Sequence, residues 1–210
     1  MASSTIKRRI ESSELDRVIY HYCDATALLS ILHSKKLRFT HAAYLNDTLE
    51  IRHGVTICKR LLEERLKQDD SDPVLANTIE YLENAERWQY YVCCFSESKD
   101  NLSQWRAYAN DGDGFAIGFH TRDFRVGTDG PFEGRFNKVE YSSEAIAEKA
   151  NKLLDDYCAS AHVFQPDSTP ELRNFAFENS AAHIGNILID ESVFIKDSGF
   201  VEEQEWRAVR

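Results

Sequence analysis

The chain has 210 residues, 42% of them hydrophobic and 29% charged, with a formal charge of −10. This excludes a wholly disordered chain and suits one domain able to bury a sizeable core. The acidic balance argues against a surface built for DNA or RNA backbones, and its plainest role is solubility.

Residues 1–16 read as a polar, flexible lead-in without the apolar stretch of a secretory signal. Val18 to Tyr22 reads as a short strand, after which Asp24 can cap a helix carrying Ala27, Leu28, Ile31 and Leu32 on one side. Lys35 and Lys36 suit the end of that helix, and Leu37 to Thr40 reads as a second strand. Asn46, Asp47 and Thr48 form a cap-like cluster before a helix with Ile51, Val55, Cys58, Leu62 and Leu66 at three- and four-residue intervals. Asp72-Pro73 has the signature of a second helix start, with Leu75, Ile79 and Leu82 as its stripe. The first helical excursion therefore spans about 48–86.

Trp88 to Phe95 reads as a central strand because it lacks solvent-facing alternation. A short helix through Leu102, Trp105 and Ala109 follows, and Trp105 and Tyr108, three apart, are expected in the core. Phe115 to Phe119 is another core strand after the Asn110–Gly114 turn, and 121–137 is a loop with weak strands. A second helical excursion spans about 143–188, its second helix starting at Thr169-Pro170. Val193 to Ile195 and Val201 to Val209 read as terminal strands.

Five cysteines, two of them adjacent at Cys93 and Cys94, do not form a disulfide framework. Buried thiols in a reducing cytoplasm are the simple reading, and no Cys and His spacing fits a zinc site. The apolar runs are too short to cross a bilayer.

Three stretches carry candidate chemistry. His21 stands between two tyrosines at the end of a strand, either as a structural hydrogen-bonder or as a contact for a ligand's ribose or phosphate. Ser96, Glu97, Asn101, Gln104 and Arg106 follow the central strand, where a loop commonly forms the rim of a cleft. On a continuous strand Glu203, Glu205 and Arg207 share one face, either as a solvated edge with an internal ion pair or as a ligand-facing carboxylate pair. Gly112-x-Gly114 lacks the rest of a dinucleotide fingerprint and reads as a turn.

These stretches resemble the bacterial family called domain of unknown function 2971. The resemblance rests on Tyr20-His-Tyr22, Leu37-Arg-Phe39, Asn46-Asp-x-x-Glu50, Cys94-Phe-Ser96, Gln104-Trp-x-x-Tyr108, Gly114 to Phe119, and Lys196 through Arg207. The family usually has proline where Thr48 stands and methionine where Gln104 stands.

The strand-histidine-helix opening and the late Glu203-x-Glu205 are also similar to the NAD-dependent ADP-ribosyltransferase superfamily. That resemblance implies an α+β fold, with a mixed or mainly antiparallel split central sheet surrounded by helices, in a single domain over 17–210. It implies that His21 contacts the NAD ribose and that Glu205, or else Glu203, positions the nicotinamide ribose. Glu203 would orient or deprotonate the acceptor, while Tyr44 or Tyr108 would stack on nicotinamide; Ser96 and Arg106 complete the expected NAD-binding set. NAD would be a substrate, with an unidentified acceptor. The expected activity is ADP-ribosyl transfer or NAD glycohydrolysis inside the bacterial cell. A non-catalytic nucleotide- or protein-binding module is the alternative. A metal-dependent nuclease using Asp47, Glu50, Glu203 and Glu205 is a third reading, although no spacing requires a metal.

Overall fold

The computed structural model describes residues 17–44, 50–68, 72–83, 90–124, 134–160 and 169–210. Six strands form one sheet: β1 (Val18–Cys23), β2 (Thr40–His41), β3 (Tyr91–Ser96), β4 (Phe115–His120), β5 (Arg135–Lys138) and β6 (Glu205–Val209). The helices are α1 (Ala25–Ser34), α2 (Glu50–Leu66), α3 (Pro73–Glu83), α4 (Leu102–Tyr108), α5 (Ser143–Ser160) and α6 (Pro170–Ser192). The sheet order is β4-β1-β3-β6-β5, with β2 also on β3, and every pairing between these strands is antiparallel. The expected α+β architecture and mainly antiparallel sheet are therefore present.

One face of the sheet carries Ile19, Cys93, Phe95, Trp206 and Ala208, covered by Phe124 and flanked by Phe119 and Phe136. Strand alternation turns Val92 and Val209 to the other face, where they meet Ala42, Val193 and Phe194. Beyond them α2, α3, α5 and α6 bury Leu62, Val74, Leu154 and Leu188 against one another. Burial of each such side chain contributes roughly 1.5–3 kcal/mol.

Helix starts follow the sequence signals. Asp24, Asp72 and Thr169 accept from the backbone N–H of Ala27, Val74 and Leu172. Strand limits shift more. The stretch Leu37 to Thr40 contributes only its last residue to β2, and Val193 to Ile195 gives only a parallel bridge, Glu140 to Ile195. Residues 121–124 form a 3-10 turn before the 125–133 stretch, and β5 begins only at Arg135. Val201 to Glu203 belongs to the 3-10 turn Ser198–Glu203, and Gln204 breaks the chain with φ 46° and ψ 49°. The cap cluster Asn46, Asp47 and Thr48, together with Trp88, lies outside the described residues.

α2 and α6 cross where Gly54 meets Ser192. A Cβ at position 54 would stand 2.8 Å from the Ser192 Cβ and 2.9 Å from its backbone. Overpacking of this kind costs about 1–3 kcal/mol, more than the roughly 1 kcal/mol an alanine offers a helix. Gly54→Ala is therefore expected to lower Tm by roughly 2–5 °C, read by calorimetry; an unchanged or higher Tm would show that the crossing relaxes freely.

Candidate functional site

β1 and β3 register at a single pair, Tyr20 with Ser96, while β2 pairs with Tyr91 and Val92 at the other end of β3. Between these pairings the sheet is split. His21 fills the gap, its Nδ1 lying 2.9 Å from the Cys94 carbonyl. A carbonyl only accepts, so Nδ1 carries the proton in the neutral ring and Nε2 keeps an acceptor lone pair. Burial holds the His21 pKa below its ordinary value despite that hydrogen bond. Tyr22 packs edge-on against Trp105 at 4.9 Å and donates to the Ser98 carbonyl, fixing the loop into α4.

Across β3, Ser96 faces Glu205 and Cys94 faces Arg207 in the β6 register. The two-residue strand period sets Glu205 and Arg207 on one face, as expected, and they form a two-pronged ion pair. Arg207 donates Nε to Oε1 at 2.7 Å and Nη2 to Oε2 at 3.0 Å. Its Nη1 donates to the Val193 carbonyl at 2.7 Å, which ties β6 to the end of α6.

Lys196 closes the cluster. The Glu140–Ile195 bridge, with the Lys196 N–H on the Glu140 carbonyl at 3.1 Å, sets its backbone. Its Nζ then donates to Glu203 Oε2 at 2.6 Å and to Glu205 Oε2 at 3.2 Å, and lies 4.7 Å above the Phe200 ring. Glu203 is thus off the strand, and Lys196 rather than strand periodicity brings the two carboxylates together. Two cations balance two carboxylates in a site where Arg207, Lys196 and Glu205 are all buried.

Burial pushes the Glu205 carboxyl upward, but Arg207 and Lys196 override it and hold the pKa down to about 2. The Cys94 thiol also hydrogen-bonds Glu205 and is pushed well above its ordinary range, chiefly by burial. Cys94 thus touches both residues, its carbonyl meeting His21 and its thiol, on the opposite face of the sheet, meeting Glu205. Tyr141 accepts the Glu205 N–H at 3.0 Å, and burial pushes its hydroxyl up to about 12.

Tyr108 belongs to this neighbourhood. It is 40% exposed rather than in the core, while burial of its hydroxyl, with Cys94, Glu203 and Glu205 nearby, pushes it up to about 12. Ser96 is buried and committed: its hydroxyl donates to the Glu203 carbonyl at 2.6 Å and accepts from the Ser98 N–H. Arg106 is exposed, 4.0 Å from Asp111, and lines an open cleft of about 840 Å³ with Ser98, Asp100, Asn101, Glu202 and Gln204. Tyr44 is 81% exposed beyond β2, edge-on to His41 at 5.8 Å. The structure therefore gathers Glu203, Glu205 and Tyr108, turns His21 to the opposite face of the sheet with Phe95 and Cys93, and leaves Arg106 and Tyr44 on more open surfaces.

Glu97, expected only on the rim of a cleft, holds the sheet together. Its carboxylate accepts from Arg17 at 3.0 Å, Lys138 at 2.8 Å and the Trp206 indole at 2.9 Å, clamping the split sheet. Burial works against its ionised form, but the bonds from Lys138 and Trp206 hold its pKa below the ordinary value.

Among the described residues no group of three or more His, Cys, Asp or Glu is placed to hold a metal, and no helix is long and apolar enough to cross a membrane. Asp47 lies outside the described residues, as does the Glu50 side chain. Residues 104–208 match the family described as a protein of unknown function, DUF2971. No curated protein and no solved structure matches the chain.

Proposed function

For this chain, which belongs to the DUF2971 family, we propose cleavage of the nicotinamide–ribose bond of NAD, by ADP-ribosyl transfer or hydrolysis inside the bacterial cell. The observation that carries this reading is the pair of carboxylates Glu203 and Glu205 gathered on one Lys196, with Tyr108 beside them.

The bond to be broken leaves positive charge on the ribose, and an ionised carboxylate near the 2′-hydroxyl stabilises it. Glu205 is the less suited of the two for direct contact, because both its oxygens are held by Arg207 and Lys196 and its side chain is only 5% exposed. Glu203, at 16%, is the more open carboxylate. In our reading Glu203 faces the ribose and Glu205 positions it through the shared Lys196. Nicotinamide leaves with the bonding electron pair, water or an acceptor nucleophile bonds to the ribose carbon, and the nucleophile's proton passes to Glu203. Tyr108 supplies a ring face for nicotinamide, His21 acts from the opposite face by holding the Cys94 carbonyl, and Arg106 offers a cation to a phosphate. Ser96 acts by holding the Glu203 backbone, and Tyr44 is the less enclosed stacking candidate.

The second reading is a binding module for a nucleotide. It is favoured by the same saturated pairing of Glu205, which makes the cluster a rigid cleft wall as readily as a reactive centre. Calorimetric titration with NAD tests the reading. The wild type should bind, and Tyr108→Ala should weaken binding by about tenfold, the loss of one stacked ring. Absence of heat and of competition by ADP-ribose would remove NAD as a ligand.

A further inference from the structure

α1 is an anomaly in this fold. It carries Leu28, Leu29, Ile31 and Leu32, yet none of its residues is buried, and Leu29 and Leu32 are 56% and 63% exposed. At 100° per residue these four side chains and Ala25 fall within one broad stripe, while Thr26, Ser30, His33 and Ser34 lie on the other side. In a monomer the outer part of this stripe faces water, against the usual burial of an apolar helix face.

The charges beside the stripe are arranged end to end. Asp24, exposed, caps the N-terminus of α1. Lys35 and Lys36, also exposed, follow its C-terminus, and among the described residues none of the three forms an ion pair. A helix with an acidic start, an apolar middle and a basic finish complements itself when reversed.

We propose that α1 is the contact of a twofold-symmetric homodimer, in which it packs antiparallel against α1 of a second copy of this chain. Setting Leu29 opposite the second copy's Leu32 sets Leu32 opposite the second copy's Leu29, because the interface is isologous. The same register brings each Asp24 to the Lys35–Lys36 end of the other helix, and the helix dipoles oppose favourably. A ten-residue helix buries less than a standard interface, so the dimer is weak and concentration-dependent, with Kd on the order of 10–500 μM.

Sedimentation velocity on the full chain across a concentration series spanning that range tests the proposal. The wild type should move from monomer to dimer. The double substitution L29E/L32E should keep it monomeric throughout, with its circular dichroism spectrum unchanged because both positions are exposed. K35E/K36E should weaken the dimer by about tenfold at low salt, and by less at high salt where screening already weakens the pair. A wild type that stays monomeric throughout overturns the proposal, as does a dimer untouched by L29E/L32E.

Discussion

Glu205→Gln is expected to cost about 3–5 kcal/mol of folding stability, the usual consequence of removing one partner from a buried ion pair. The amide keeps the shape but leaves Arg207, 1% exposed, and Lys196, 4%, with Glu203 as the remaining carboxylate of the cluster. Chemical denaturation of wild type and variant measures the loss. The double variant E205L/R207M should be more stable than either single variant, because no buried charge of this pair is then left alone. Strictly additive losses would show that the two side chains do not act as a pair.

Acid carries the same signature. The Glu205 carboxyl is lowered from 4.5 to about 2 in the folded protein. A carboxylate depressed in this way contributes stability that is fully present above its unfolded pKa and disappears as pH falls through its folded pKa. The contribution is about 3 kcal/mol, and it should fade between roughly pH 5 and pH 2 in the wild type. The E205Q protein should lack that part of the slope. An identical slope in both proteins would place the acid-sensitive group elsewhere.

The second large effect concerns turnover. Glu203→Gln keeps the hydrogen-bonding shape beside Lys196 while removing the charge assigned to the transition state. It is expected to lower kcat by about two to three orders of magnitude, with KM changed only a few fold. Stability should suffer less than in E205Q, because Glu203 is the more open member of the pair. A rise in KM at unchanged kcat would make Glu203 a binding residue.

Much of this arrangement was legible before the structure. The two-residue period set Glu205 and Arg207 on one face, and the cap signals at Asp24, Asp72 and Thr169 start the helices where they stand. Other features depend on contacts through space. Lys196 joins Glu203 and Glu205 only because the Glu140–Ile195 bridge and the 3-10 turn fold it back, and no local pattern encodes that reach. The break at Gln204 was hidden because a left-handed residue there needs no glycine when tertiary bonds hold it, here its carbonyl accepting the Glu97 N–H at 3.0 Å. Tyr108 was misplaced into the core because its spacing from Trp105 resembles a buried stripe; α4 buries Gln104 and leaves Tyr108 at the site. His21 looked like a strand residue, which it is, but its place in the split follows from β1 and β3 parting after one pair.

Release of nicotinamide from NAD by the purified wild-type protein, compared with folded E203Q, is the most direct measurement. Release by the wild type at least about a hundredfold faster than by E203Q is the predicted result. NAD bound without any nicotinamide released, with or without added acceptor proteins from a bacterial extract, would contradict a catalytic role and leave the cleft as a nucleotide-binding site.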